Sequence, residues 1–494
     1  MTNLQSAQRE LRRGVLVNLL GLLGKLAAPL FLIAMTRLYG PDAMGIFLTA
    51  LVLVEMSAAF LTAGFQDGAL LFVARHHGEE GGRERLLQAV ANALGWSVLV
   101  CAALIPAAFL VVPCWTGSRF DYAPELDQAL QVMALGLPFF AAERVLITAT
   151  QGLRIMTWEA LFAGGLRPTL LVAAALGLWW WQPSALGLAT AWTGANVLLG
   201  VLALGVWRRC FGFEGLRDAL WPLRWNVPLL RFALPQNVNM AVSQFMTGVD
   251  VVMLGAAGLP AGAIAFYAAG SQIVRNLRVI KVTYAQAWNP HVPGFLRRED
   301  RSGLASLTAD TMRALTWWVL AAVGVVALLR DDLLRIVHPT FAGDTTFLLA
   351  LLALPWLVCV FGLHQNLLTM SGRSALNLVN HLLAVLLNVG LNLWWIPKFG
   401  LVGAALASVC ATVVLTALQV VQARAWLGVR VPLAPLALPH AAALGAWCMV
   451  SVVGSLGADT LLNRLACAAL WLGLVGGAWW MAVRLDKRRL SPAG

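Results

Sequence analysis

Charged residues are scarce in this chain of 494 residues: they make up 12% of it, whereas 60% of the residues are hydrophobic. The mean hydropathy is +0.77. A water-soluble protein of this length could not cover so much apolar surface with polar side chains. The scarcity of charge therefore excludes a soluble globular protein and predicts an integral membrane protein.

Cysteine and enzymatic motifs are also scarce or missing. The seven cysteines show no paired spacing, and six of them lie in or beside apolar stretches. They indicate small packing residues, not a disulfide framework or a metal site. The only Gly-Lys pair, at residue 24, lacks the neighbouring glycine and hydroxyl residue that a phosphate-binding loop requires. We therefore expect no ATP site, no cofactor and no enzymatic activity.

Long apolar stretches are what the chain has in abundance. Fourteen of them are long enough to cross the ~30 Å hydrocarbon core of a bilayer as helices. We number them spans 1 to 14, with predicted bounds 14–36, 44–73, 87–112, 128–150, 156–181, 184–206, 229–256, 262–291, 309–329, 346–371, 374–396, 400–422, 435–456 and 464–483. The sequence thus predicts an all-α integral membrane fold with fourteen transmembrane helices.

Lys and Arg are distributed unevenly between the two sides of these spans. Twenty-one lie in gaps on the side of the N-terminus, and six lie in gaps on the opposite side. Cytoplasmic loops carry the excess of basic residues, so both termini are predicted to be cytoplasmic. Most of the net charge of +12 then lies on the cytoplasmic side, where anionic lipid headgroups are the expected partner. We do not expect nucleic acid as a partner.

An internal repeat divides the spans. Gly40 corresponds to Gly255 and Gly187 to Gly403, with offsets of 215 and 216 residues, which indicates duplication of a six-span unit. Because six is even, the two units should be related by an axis along the membrane normal. The predicted organisation is an N-terminal six-helix bundle (1–206), a cytoplasmic amphipathic linker (207–228), a C-terminal six-helix bundle (229–434), and helices 13–14 with a basic cytoplasmic tail (435–494). A simple connector is the alternative for residues 207–228.

Three stretches of the chain resemble bacterial polysaccharide flippases. Residues 36–75 are similar to the first two spans of these proteins, residues 230–258 (LRFALPQNVNMAVSQFMTGVDVVMLGAAG) to the seventh, and residues 367–408 to the tenth to twelfth. By this resemblance the chain is identified as a member of the multidrug/oligosaccharidyl-lipid/polysaccharide exporter superfamily. The resemblance implies two six-helix bundles around a central cavity, with the two extra helices that flippase branches carry.

The resemblance also implies a substrate. In the nearest branch, an undecaprenyl-pyrophosphate-linked oligosaccharide for O-antigen or exopolysaccharide crosses from the inner to the outer leaflet of the bacterial inner membrane by alternating access. Polysaccharide polymerase and glycosyltransferases are then further partners. A lipid II flippase is an alternative, although residues 36–42 depart from the serine-arginine signature usual in that branch. A cation-coupled multidrug exporter, a branch that generally has twelve spans, and a membrane scaffold without transport are the others.

Charges inside the spans mark candidate functional positions, because each costs at least ~2.5–3.5 kcal/mol to insert. Arg275, Arg278 and Lys281 follow Gln272 in span 8 at three-residue intervals, so they share one helix face. Such a face suits a pyrophosphate, since arginine offers forked donors and lysine a point charge. Together with Lys25 of span 1, these three cations are predicted to line the cavity and bind the pyrophosphate. An internal salt-bridge network is the alternative.

Further polar residues inside the spans form two groups of candidates. Those predicted to line the cavity or to couple transport to an ion are Glu55, Asp250, Gln236, Asn237 and Gln244, and Arg144 and Arg167 are further candidate substrate ligands. Arg167 could instead pair with Glu143 or Glu159. In span 11, Asn377, His381, Asn388 and Asn392 share a face and are predicted to hydrogen-bond between helices.

Overall fold

The computed structural model describes residues 27–76, 82–117, 119–153, 155–212, 227–341, 343–458 and 460–490. Within these ranges the chain is helical and contains no strand. This agrees with the apolar composition, because lipid offers no hydrogen-bonding partner and a helix satisfies its backbone groups internally. Most of the predicted linker, residues 213–226, lies outside the described residues.

The first half of the chain forms nine helices and a π-helical turn in the described ranges. They are α1 (Ala27–Tyr39), α2 (Pro41–His76), α3 (Gly82–Leu110), α4 (Val112–Thr116), α5 (Ala123–Gly152), α6 (Thr157–Leu161), the π turn (Phe162–Leu166), α7 (Arg167–Trp179), α8 (Ala185–Phe211) and α9 (Val227–Ala256). Helix ends follow local signals. Ser184 caps α8 by accepting a hydrogen bond from the Gly187 backbone N–H, and the helix ends at Phe211, before Gly212, whose φ of 75° suits glycine.

The second half continues with broken and bent helices. They are α10 (Ala261–Leu277), α11 (Val279–Trp288), a 3₁₀ turn (Asn289–His291), α12 (Val292–Arg297), α13 (Arg301–Leu328), α14 (Arg330–Val337), α15 (Thr346–Leu351), α16 (Ala353–Phe361), α17 (Leu363–Met370), α18 (Ser374–Leu427), a 3₁₀ turn (Ala434–Leu436), α19 (Ala437–Leu456) and α20 (Leu461–Leu490). Gly400 interrupts α18 with a non-helical φ of 54°, between predicted spans 11 and 12.

In the part of the chain that the structure describes, nine helices are long and apolar enough to cross a membrane, or ten if one bent pair counts as a single span. The difference from fourteen has a physical origin. Span 8 is interrupted at its cations, spans 11 and 12 run together in α18, and much of span 1 lies outside the described residues. The all-helical membrane fold is thus established, and the count of fourteen stays a prediction.

The chain divides into two compact units, one ending at Ala268 and the other beginning at Ala269. The core of the first unit includes Phe65, Leu87, Leu146 and Trp207, and Leu229 of α9 belongs to it. The first unit therefore extends past the predicted linker and includes α9. The bounds predicted from the repeat concern internal symmetry and stay a prediction.

Glycines allow α2 and the chain around α9 to touch backbone to backbone in the first unit. A Cβ atom on Gly64 would lie 2.0 Å from the Ala233 carbonyl oxygen, and one on Gly45 would lie 1.8 Å from that of Ala261. The Asn237 side chain enters the α2 backbone at the same level, where its Oδ1 accepts a hydrogen bond from the Gly64 N–H. Small residues and amides are what membrane helices use for close packing.

The last two helices attach to α13 and α14 within the second unit. Trp471 of α20 fills the notch at Gly324 of α13 and donates from Nε1 to the Ala321 carbonyl at 2.9 Å. Arg464, at the start of α20, forms an ion pair with Asp332 of α14, with Nε 2.9 Å from Oδ2. Helices 13 and 14 of the prediction are therefore packed against the rest of this unit.

Breaking the Arg464–Asp332 pair should loosen this attachment. Both side chains are largely buried, at 20% and 15% exposure, so R464M leaves the Asp332 carboxylate uncompensated and should cost about 3 kcal/mol. Thermal unfolding of the purified protein measures the effect. R484Q, which removes an exposed cation from the same helix, is the control. Equal stability of the two variants would contradict the prediction.

Candidate functional site

Span 8 breaks at the cations that the sequence singles out. Helix α10 ends at Leu277 and α11 begins at Val279, so Arg278 stands between them. Its backbone N–H donates to the Arg275 carbonyl at 3.1 Å, which is a tighter turn than an α-helix makes. Such 3₁₀ turns inside a helix often mark a functional hinge. The cationic face thus lies on a discontinuity, not on a regular helix.

The three cations differ in their partners. Arg275 donates from Nη2 to Gln272 Oε1 at 2.8 Å. The Arg278 Nε is buried and has no hydrogen-bond partner among the described residues. Lys281 Nζ lies 3.4 Å from Gln365 Oε1, a neutral amide. In the described ranges, no acidic side chain comes within 4.0 Å of Arg278 or Lys281. A salt-bridge network is therefore not what holds these two cations.

Lys281 lies beside a bend in span 10. Helices α15–α16 and α17 meet at Gly362 with an angle of 42°. A Cβ atom on Gly362 would lie 2.8 Å from Lys281 Nζ, so the ammonium group packs against the bare glycine backbone. Cys359 of α16 is buried close to this point. The lysine therefore occupies the inner corner of the bend, and the two arginines continue along α10–α11 from it.

The residues predicted to line the cavity or to couple transport to an ion all lie in the first unit. The Tyr267 hydroxyl donates to Asp250 Oδ2 at 3.0 Å, and the Thr247 hydroxyl lies 3.4 Å from Gln244 Oε1. Asn237 bonds to the α2 backbone, and Glu55 is exposed. Lys25 and the side chain of Gln236 lie outside the described residues. The predicted roles of this group in a cavity stay predictions.

Arg167 and Arg144 form a second cluster of charges in the first unit. Arg167 Nη2 forms an ion pair with Glu143 Oε2, and its Nη1 donates to Asn196 Oδ1 at 3.3 Å. Arg144 Nη1 lies 3.7 Å from Glu159 Oε1. Of the two partners considered for Arg167 from sequence, the structure selects Glu143. The contribution of Asn196 gave no signal in the sequence.

The polar face of span 11 makes contacts between helices. Asn377 donates to the Gln365 carbonyl at 2.9 Å, and Asn388 donates to Ser408 Oγ at 3.0 Å. His381 instead contacts the Asn377 carbonyl of its own helix at 2.6 Å. The prediction of hydrogen bonding between helices is confirmed for Asn377, which contacts span 10, and for Asn388, which contacts span 12 across the interruption at Gly400.

Comparisons with known proteins agree with this picture. A family model described as polysaccharide biosynthesis protein matches residues 11–294, more than half of the chain. The chain belongs to this family, which agrees with the resemblance of its sequence to polysaccharide flippases. No curated protein matches the sequence.

Solved structures share the fold at low sequence identity. The lipid II flippase MurJ in an inward closed conformation superposes with a TM-score of 0.78 at 12% identity, covering 95% of this chain and 99% of that one. A multidrug resistance MATE family transporter in an inward-facing conformation gives 0.65 at 15% identity, covering 80% and 93%. The MATE multidrug transporter DinF-BH gives 0.57 at 16% identity, covering 83% and 94%. These similarities establish that the chain shares the fold of these proteins.

Proposed function

We propose that this chain is a flippase that moves an undecaprenyl-pyrophosphate-linked oligosaccharide from the inner to the outer leaflet of the bacterial inner membrane by alternating access. The observation that carries the proposal is the cationic face of α10–α11. Arg278 and Lys281 have no acidic partner within 4.0 Å among the described residues. Unneutralised cations inside a membrane are costly, and an anionic headgroup would offset that cost.

The spacing of the cations fits two linked phosphoryl groups. Residues three apart on a helix have Cβ atoms roughly 5–6 Å from each other, so Arg275 and Arg278 can each contact one phosphoryl group of a pyrophosphate. The planar guanidinium makes paired hydrogen bonds to phosphate oxygens. The polyprenyl tail is apolar and needs no polar site, so the protein has to provide a hydrated path for the headgroup alone.

The alternatives differ in headgroup and in span number. MurJ covers 95% of this chain, whereas the MATE transporter covers 80%. This difference supports a flippase over a drug exporter, because α19 and α20 are extra helices that the flippase branch carries. Lipid II has the same polyprenyl-pyrophosphate chemistry, so the cationic face does not separate it from a longer glycan. The departure of residues 36–42 from the usual signature favours the oligosaccharide.

A reconstituted assay separates these three substrates. Full-length protein in liposomes is given undecaprenyl-pyrophosphate-linked oligosaccharide, lipid II or a cationic dye, and movement is followed as the fraction that an enzyme in the opposite compartment can reach. We expect the oligosaccharide lipid to move fastest and the dye not at all. Faster movement of lipid II would assign the chain to that branch, and dye transport alone would overturn the flippase proposal.

The topology of the proposed flippase places both termini in the cytoplasm, where the glycosyltransferases and anionic lipids that it meets are found. A reporter that is active only in the periplasm, fused after Arg489, should therefore be silent, because twenty-one basic residues in the gaps hold that side inside. The same reporter inserted after Asp121, between α4 and α5, should be active. The reverse pattern would overturn the predicted orientation.

A further inference from the structure

A buried ion pair in the first unit joins α5 to α7. Glu143 of α5 is 3% exposed and Arg167 of α7 is 24% exposed, and they are joined through Oε2 and Nη2. Asn196 of α8 completes the contact at 3.3 Å from Arg167 Nη1. Three helices thus meet at one neutralised pair of charges. Because the carboxylate already neutralises the guanidinium, the pair is unsuited to hold a phosphate.

The backbone in front of Arg167 is distorted. A π-helical turn, Phe162–Leu166, lies between α6 and α7, and Arg167 is the first residue after it. A π turn inserts one residue into an α-helix and so rotates all that follows by about 100°. The distortion therefore decides which way Arg167 points. Single π turns occur mostly at functional positions, and this one coincides with the one arginine in the middle of span 5.

Arg167 has a second carboxylate within electrostatic range. Glu55 of α2 is exposed, whereas Glu143 is buried. The other charges near the pair are Arg144, which stacks with Arg167 against the Phe140 ring at 5.7 and 5.1 Å, and its partner Glu159. Beyond residue 85, α3 offers only Cys101 as an ionisable group, and α8 offers none before Arg208. The guanidinium thus stands between one buried and one exposed acid.

Stability alone does not account for such a pair. Replacing a buried ion pair with apolar residues of similar volume is often neutral or stabilising. Within membranes, acids that pair with a basic side chain recur along ion and proton paths. An alkali cation is an unsuitable ligand for this site, because the Arg167 guanidinium already occupies the position beside Glu143. A proton is the cation that the site can still accept.

We propose that Glu143 is a proton acceptor and that its protonation releases Arg167 toward Glu55. A proton from water adds to the Glu143 carboxylate, the Arg167 contact opens, and the guanidinium keeps its charge and turns to the exposed acid. Loss of the proton reverses the step. The inference rests on the proposed function in one respect: a flippase without an encoded ATP site requires another source of energy, which a proton gradient supplies.

The proton site can be tested without any glycan. Difference infrared spectra of the full-length protein in lipid nanodiscs, recorded between neutral and acidic pH, should show the carbonyl band of a buried protonated carboxylic acid. E143Q should lose this band. E159Q, which removes the neighbouring half-buried acid, should keep it, and so should E55Q. A band that persists in E143Q would overturn the proposal.

A second variant covers the case that E143Q fails to fold with Arg167 unpaired. E143Q/R167Q removes both charges, should accumulate in the membrane, and should also lack the band. In liposomes, a pH difference should speed movement of the oligosaccharide lipid several-fold by the wild type and leave the rate of the double variant unchanged. A double variant that still responds like the wild type would refute coupling at this site. Should the wild type move no glycan lipid, the proposed function fails, and the infrared band alone decides the proton site.

Discussion

Replacing Arg275 and Arg278 together by glutamine should abolish surface glycan, while the protein still inserts and accumulates. A hydrogen bond to a charged group contributes about 1.5–3 kcal/mol, so losing two such arginines should weaken headgroup binding by about a hundredfold or more. Lipid-linked intermediates should then collect on the cytoplasmic leaflet. Glycan at the cell surface and lipid-linked glycan in the membrane fraction are the quantities to measure.

Two further variants make this result specific. R275K/R278K keeps both charges but loses the forked donors, so export should fall without disappearing. R297Q/R298Q removes two exposed arginines from the end of α12 and beyond it, and it should export normally. Normal export by the double glutamine variant, at wild-type protein levels, would refute the assignment of the pyrophosphate to this face.

Substituting Gly64 by valine should strongly disrupt the first unit. The new Cβ would lie 2.0 Å from the Ala233 carbonyl oxygen, and backbone atoms cannot rotate away as a side chain can. Overpacking of this kind costs about 3 kcal/mol or more, and the shift also separates Asn237 from the α2 backbone. We expect low accumulation and a lowered unfolding temperature of the purified protein.

Two comparisons check the physical reason for that loss. G205V introduces the same side chain in α8, where a Cβ atom meets nothing within 4 Å, and it should leave stability unchanged. N237A keeps the close approach but removes the amide, and it should cost only about 0.6–2 kcal/mol, the range of polar contacts between membrane helices. If G64V and G205V unfold at the same temperature, backbone contact is not what the glycine provides.

The sequence by itself determined the class of this protein. Fourteen apolar stretches and the uneven distribution of Lys and Arg are local properties of the chain, because the bilayer selects helices of a given length and charge bias whatever their partners. The cations of span 8 were found in the same way. A charge within an apolar stretch is visible without knowing its neighbours, and the three-residue spacing places Arg275, Arg278 and Lys281 on one face.

Only the tertiary structure decided the partners of these charges. The sequence allowed either Glu143 or Glu159 as the ion-pair partner of Arg167. Which of them pairs with it depends on how α5, α7 and the π turn pack. The bend at Gly362 that receives Lys281, and the entry of Asn237 into the α2 backbone, likewise involve residues far apart in the chain. Hydropathy and spacing describe which helix face is polar. They do not predict which two faces pack together, because that depends on the shape and hydrogen bonding of both helices.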